Sequence, residues 1–244
     1  MFYVPDQRLL GARQMLTPVA SQWGTGPNLQ PQYPTIDWRH RFAQGLILCV
    51  NNPVRDLARG HRIDSHRIRT ETGTMRFVDS ASKIQYPSPD DIDGGFTATI
   101  VLPKWPPTSQ KTTLFTFGRT RSNVEGEIMA YIHHGNITLF SYRSGYQHRV
   151  NEPCVDLDDD RGAASITCSI DFDGEARVYI NGAGSEVDSG TINNPTLSPA
   201  SIGCDLRDGD HADAVSLFLL HNYPLAEREA VSLSKNPYQI FAPW

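Results

Sequence analysis

Long apolar runs are missing from this 244-residue chain. No stretch approaches the ~20 consecutive apolar residues of a membrane-spanning helix, so no membrane span is expected. Concentrated positive charge is missing too. Lys and Arg total 22 against 27 Asp and Glu, for a net charge of −5 and a pI near 5.9. A nucleic-acid partner is therefore not expected, because neutralising phosphates takes a dense basic surface. The most basic stretch, Arg55 to Arg69, carries five arginines and two histidines, and it reads as a solvated loop rather than an anion site. Cysteine is scarce and unpaired in sequence: Cys49, Cys154, Cys168 and Cys204 form no C-x-x-C motif, which removes the usual zinc and redox signatures. Cys49, Cys168 and Cys204 fall in alternating apolar registers and are expected as buried free thiols, although a Cys168–Cys204 bridge stays open should their strands adjoin. The start, Met1-Phe2-Tyr3-Val4-Pro5-Asp6, lacks the basic and apolar segments of a secretory signal, so reduced thiols are expected.

What the chain has in abundance is strand and turn signals. From Ile170 to Ala183 a hairpin is written out in full. Ile166, Cys168 and Ile170 alternate with Ser165, Thr167, Ser169 and Asp171; after Asp173-Gly174, Ala176, Val178 and Ile180 alternate with Arg177 and Tyr179; Asn181-Gly182 follows. A two-residue period marks half-buried strands, and Asp-Gly and Asn-Gly supply the positive φ of tight hairpin turns. One face is expected on a core, the other on solvent or a partner.

Further strand-length segments run near Gly45–Val50, Met75–Val78, Lys83–Tyr86, Phe96–Leu102, Thr113–Gly118, Glu127–His134, Ile137–Arg143, Ser201–Cys204 and Ala214–His221. Such density of short strands without intervening helices predicts an all-β, antiparallel sandwich or barrel. One helix is expected over Leu225–Ser234, with Pro224 near its first turn and Glu227 and Glu229 where the dipole favours them. Residues 1–36 differ. Pro5, Pro18, Pro27, Pro31 and Pro34 interrupt every element save a short turn near Gln7–Leu16, and the segment reads as an extended arm preceding one domain over residues 37–244.

The order of features resembles the laminin-G-like, concanavalin-A-like jelly-roll domains of bacteriophage and prophage proteins. The residues carrying it are Gly45-Leu46-Ile47-Leu48-Cys49-Val50, the strand pair Met75–Asp79 and Lys83–Tyr86, the long strand Phe96–Val101, the Asp-Gly and Tyr-x-Asn-Gly hairpin, and above all the close: Val215–Leu220, Tyr223-Pro224-Leu225-Ala226-Glu227-Arg228-Glu229 and Asn236-Pro237-Tyr238-Gln239-Ile240-Phe241. The resemblance covers residues 40–242 and leaves the arm without a counterpart. It implies a jelly-roll sandwich and a non-catalytic role: a virion component of tail, baseplate or capsid surface, joined to other virion proteins through the arm, homo-oligomeric, and serving subunit contacts or adhesion to host-surface carbohydrate. The alternatives are a carbohydrate-binding module in its own right and, behind it, a polysaccharide-degrading enzyme.

The residues offer little catalysis. Retaining glucanases of similar fold place two carboxylates ~5 Å apart; Glu125-Gly126-Glu127 lacks the acid that completes the set, and no Gly-x-Ser-x-Gly elbow occurs. No cofactor is expected. Asp205, Asp208, Asp210 and Asp213 surround Gly209, and Asp156, Asp158, Asp159 and Asp160 form a second acidic cluster. Neither has EF-hand spacing, and both read as solvated loops, the first being the better calcium candidate. His133 and His134, as strand neighbours, are expected on opposite faces and unable to chelate one ion. For a ligand, the expected place is an outer sheet face bearing Tyr131 and His133 beside Met129, with Arg177 and Tyr179 from the hairpin and Tyr142 joining them.

Overall fold

The computed structural model describes residues 34–71, 73–86, 92–107, 109–118, 126–143, 146–153, 163–184, 187–189, 196–206 and 208–242, with 142–153 and 187–189 described by their backbone alone. The expected arm, apart from its last residues, lies outside this set, as do Glu125, Cys154 and the Asp156–Asp160 cluster.

The described residues form sixteen strands: β1 (Leu46–Val50), β2 (Asp64–His66), β3 (Ile68–Glu71), β4 (Thr74–Phe77), β5 (Lys83–Tyr86), β6 (Gly95–Leu102), β7 (Thr112–Phe117), β8 (Ile128–His133), β9 (Asn136–Arg143), β10 (Tyr146–Pro153), β11 (Ala164–Asp171), β12 (Glu175–Ile180), β13 (Val187–Ser189), β14 (Ala200–Ile202), β15 (Ala214–Val215) and β16 (Leu217–His221), with one α-helix among them, α1 (Glu227–Lys235). Six strands form one antiparallel sheet in the order β1-β16-β6-β11-β12-β13, and seven form a second, β10-β9-β8-β7-β14-β5-β2. Of the sandwich and barrel that the strand pattern leaves open, the sandwich is present, as the jelly-roll resemblance implies. A third sheet, β15-β4-β3, was not anticipated, and it separates the segments read as a strand pair: Thr74–Phe77 belongs to the small sheet and Lys83–Tyr86 to the seven-stranded one.

Between the large sheets lies the main core. Phe96 packs against Phe117 and Phe115 with ring centroids 4.9 and 6.4 Å apart, and against Phe172 at 6.1 Å. These rings and the alternating Ile100, Ile128, Ala130, Ile166, Cys168 and Val178 exclude water from both inner faces, which supplies most of the drive to fold. The outer face of the six-stranded sheet is buried as well. Phe42, Leu46, Cys49, Tyr179, Leu217, Leu219, Leu225, Leu233 and Tyr238 form a second cluster beneath α1 and the C-terminal segment. Strands β1, β6 and β16 are therefore buried on both faces.

This second layer corrects the hairpin reading. Ser165, Thr167 and Ser169 do not face solvent; all three are buried, Thr167 pairing with Thr99 across the strands at 2.9 Å while Ser169 and the Ser165 carbonyl hold the chain's own C-terminal segment. Thr97 Oγ1 accepts from Leu225 N at 2.8 Å, and Ser169 Oγ donates to the Leu225 carbonyl at 3.1 Å. Ser234 Oγ of α1 donates to the Ser165 carbonyl at 3.3 Å and accepts from Gly182 N at 3.1 Å. Buried hydroxyls here satisfy loop and helix backbone groups that would otherwise be unpaired. The turns also divide. Asn181 and Gly182 take φ of +49° and +85°, as a tight hairpin turn requires. Asp173-Gly174 does not use positive φ; the Asp171 carboxylate accepts from Asp173 N at 3.0 Å and shapes that turn instead.

Helix α1 starts two residues later than expected. Tyr223-Pro224-Leu225 is taken up by docking on Thr97, and Glu229 reaches back to Ala226 N at 3.4 Å. The end of the arm is pinned beside it: Asp37 N donates to the Ile240 carbonyl and Ala242 N to the Thr35 carbonyl, both at 2.8 Å. The basic stretch Arg55–Arg69 is ordered rather than an open loop. Its organiser is Asp56, fully buried, whose carboxylate accepts from the main-chain N–H groups of Cys49, Ala58 and Arg59 at 2.8, 2.8 and 3.0 Å, and β2 and β3 follow.

Candidate functional site

The loop after β14 gathers the polar side chains of interest. Gly203 opens it at φ +67°, a region costly for any side chain, and a Cβ there would stand 2.5 Å from the Phe77 ring. The loop then closes on itself. Asp205 N donates to the Asp210 carbonyl at 2.7 Å, Gly209 N to the Asp205 carbonyl at 3.0 Å, and Ala212 N to the Gly203 carbonyl at 2.8 Å. His211 stacks on Phe77 with centroids 5.9 Å apart and planes within 13°. These three backbone bonds tie the described residues of the loop together.

On one flank the loop meets the outer face of the seven-stranded sheet. Lys111, just before β7, sets Nζ 2.9 Å from a carboxylate oxygen of Asp210 and 3.8 Å from one of Asp208, with all three side chains only a quarter to a third exposed. The same Nζ lies 5.4 Å from the centroid of Tyr131. Tyr131 pairs in register with Thr113 of β7, and His133 follows two residues on, so both project from one face. Ile128, Ala130 and Ile132 take the inner face, as the alternation predicts. Both residues are half-buried. His134 corrects an expectation. It is not a strand residue but the first position of a tight turn, with φ +51° beside Gly135 at +72°, and the two-residue period stops before it. Its ring lies 3.8 Å from that of His133. Partial desolvation, then the neighbouring His134 and Lys111, hold the His133 imidazole below its ordinary pKa, against the opposing pull of Asp210.

On the other flank is a cavity of about 310 Å³ lined by Arg76, Lys104, Trp105, Thr112 and Asp213, among others. A recess of about 350 Å³ bordered by Ser82, Lys83, Asp205 and Asp208 lies along the loop's first half.

The expected ligand-binding residues thus divide. Tyr131 and His133 come together, joined by Lys111, His134 and Asp210, which the sequence reading did not place there. Arg177 and Tyr179 lie on the opposite sheet. Tyr179 is 1% exposed beneath the α1 layer, and Arg177 is engaged by Glu175 and, at 3.2 Å, by Glu227 of the helix. Tyr179 serves packing and lacks the outward exposure expected of it, whereas Arg177 does keep an outward side chain, 29% exposed but committed to these two carboxylates. Tyr142 lies in β9 opposite Gln147 of β10, with its side chain outside the described set. Asp208 and Asp210 are engaged with Lys111, and among the described residues no group of three or more His, Cys, Asp or Glu is arranged to hold a metal ion. Glu127 is fully buried at the entry to β8.

No family model and no curated protein matches this chain. Solved structures do. A receptor-binding domain superposes with a TM-score of 0.63 at 11% identity over 83% of this chain and 53% of its own. A structure of botulinum neurotoxin type C, whose cell entry depends on interaction with two ganglioside molecules, gives 0.61 at 13% identity over 81% and 52%. The CBM40 module of Ruminococcus gnavus IT-sialidase, bound to alpha2,6 sialyllactose, gives 0.50 at 12% identity over 66% and 97%. The chain spans about half the length of the first two. At such identities the likeness is one of fold, an antiparallel β-sandwich.

Proposed function

We propose that the protein is a non-enzymatic carbohydrate-binding domain whose glycan site is the rim formed by Tyr131, His133, Lys111 and Asp210. The observation that carries this reading is Lys111, held by Asp210 while lying over the half-buried ring of Tyr131. A sugar presents apolar CH faces beside hydroxyls that both donate and accept. An aromatic wall flanked by a fixed ammonium, a carboxylate and the His133 imidazole matches both properties. The neighbouring folds that hold sialyllactose or use gangliosides support the same class of ligand. The reading is one of binding alone, in keeping with a sequence around Glu125-Gly126-Glu127 that lacks the retaining-glucanase carboxylate pattern. Binding of the full chain to immobilised glycans, compared with Tyr131→Ala and Lys111→Met, tests it. Wild-type-like binding by both variants discards the site.

A second reading concerns the arm. Its root is zipped to the C-terminal segment through Thr35, Asp37, Ile240 and Ala242, and Trp38 stands 54% exposed beside it. This root would be the attachment point of an arm serving as an anchor to a larger assembly, the virion role that the phage-type resemblance implies. Mass spectrometry of purified particles tests this; absence of the protein from them ends it.

A further inference from the structure

The small sheet sets two arginines against each other. Arg69 of β3 and Arg76 of β4 are direct partners in register, so their side chains leave the same face. Like charges so placed repel, and the fold supplies one carboxylate nearby: Glu71 Oε2 lies 2.9 Å from Arg76 Nε, with both side chains more than half exposed. Arg69 has no ion-pair partner among the described residues. Arg76 also borders the 310 Å³ cavity, whose wall carries a further exposed cation without such a partner, Lys104. The local balance is positive in a chain of net charge −5.

The rest of the cavity wall has a different chemistry. Trp105 and Leu102, both buried, supply apolar surface, and Asp213 supplies an acceptor. The volume is at the lower end of small-molecule sites, the size of a single ring rather than a polymer.

We infer that this cavity is a second subsite that takes the anionic group of an acidic saccharide, a carboxylate or a sulfate, between Arg76 and Lys104, with Arg69 as the flanking charge and Asp213 accepting from a ring hydroxyl. The inference rests on the carbohydrate reading for the class of ligand, and it adds that the ligand is charged and where its charge sits. Arg76 is the principal contact, since a guanidinium matches a carboxylate or sulfate with two parallel donors, while Lys104 acts as a point charge. Both are exposed, so their replacement by glutamine leaves the core intact.

The test is an NMR titration of the full chain with glucuronic acid, glucose 6-sulfate and glucose, repeated on Arg76→Gln, Lys104→Gln and Tyr131→Ala. An acidic sugar is expected to shift the amides of Thr112 and Ala212–Ala214 where glucose does not. That response weakens tenfold or more in each cation variant and survives Tyr131→Ala. Comparing glucuronic acid with glucose 6-sulfate identifies the anionic group. Equal response to glucose and both acids, or acidic-sugar binding unchanged in both cation variants, overturns the inference. Sugar binding that depends on Tyr131 but ignores charge sinks this subsite alone; charged-sugar binding at the cavity with no saccharide response at the amides of Tyr131 and His133 sinks the rim alone; no saccharide binding sinks both.

Discussion

Lys111 and Asp210 meet at 2.9 Å on the rim of the seven-stranded sheet, one from the entry to β7 and the other from the loop after β14. The pair is partly exposed, so its contribution to stability is small, about 0.2–1 kcal/mol after screening. Its weight is in placement, because it fixes an ammonium over Tyr131. Asp210→Asn is therefore expected to change the melting temperature by no more than a few degrees while lowering glycan affinity about tenfold, which calorimetry and thermal denaturation separate. A large loss of stability with unchanged affinity would reverse the assignment.

Tyr179 behaves in the opposite way. Its ring is packed among Leu233, Tyr238 and Leu217 in the second core. Replacing a buried aromatic by alanine costs about 3–5 kcal/mol, or roughly 10 °C in melting temperature for a chain of this size. Tyr179→Ala should melt early, yet bind glycan normally at temperatures where it remains folded. Binding lost in a fully folded variant contradicts its burial role.

Acidification should destabilise the fold from near pH 6.5 downward. His221 is fully buried, and its Nε2–H donates to the Phe42 carbonyl at 2.7 Å. Desolvation holds its pKa below the ordinary 6.5 despite the raising effect of backbone partners, and His40 and His133 shift the same way. The unfolded chain then binds more protons than the folded one as pH falls below 6.5, so stability is lost through that value toward the lower folded pKa. Urea titrations at pH 7 and pH 5.5 should show this fall, reduced in His221→Gln, whose amide retains a donor for Phe42. A flat profile in the wild type rules the mechanism out.

The buried thiols should be inert in the native state. Burial pushes Cys168 up to about 12 and Cys204 up to about 11, and raises Cys49 well above its ordinary value, with Asp56 adding to the effect. Only thiolates alkylate readily. Peptide mapping after iodoacetamide treatment at pH 8 should find these three unmodified in native protein and fully modified in urea. Rapid native labelling of Cys168 would show that the main core opens.

The strands were legible because their inner faces obey a strict two-residue period, and every strand predicted from residue 96 to 180 appears within a residue or two of its expected bounds. The outer face of the six-stranded sheet was not. Alternation marks Thr97, Thr167 and Ser169 as polar, and polarity alone cannot distinguish a hydroxyl facing water from one pairing with a docked loop. The same ambiguity placed Tyr179 outside. β2 and β3 escaped notice because Asp64, His66, Arg69 and Glu71 are polar edge residues with little apolar period. Of the rim, Tyr131 and His133 were readable from β8 alone. Lys111 and Asp210 were not, since they are about one hundred residues apart in sequence and only the sheet order brings them together. The two tyrosines show the limit of period as a guide: both sit on outer faces, and one is covered.

The central claim is that this sandwich binds carbohydrate through the Tyr131 rim. A glycan array probed with the full chain and with Tyr131→Ala at matched stability tests it most directly. The account predicts selective wild-type binding reduced about tenfold or more by the substitution; no glycan bound by the wild type, or equal binding by both, contradicts it.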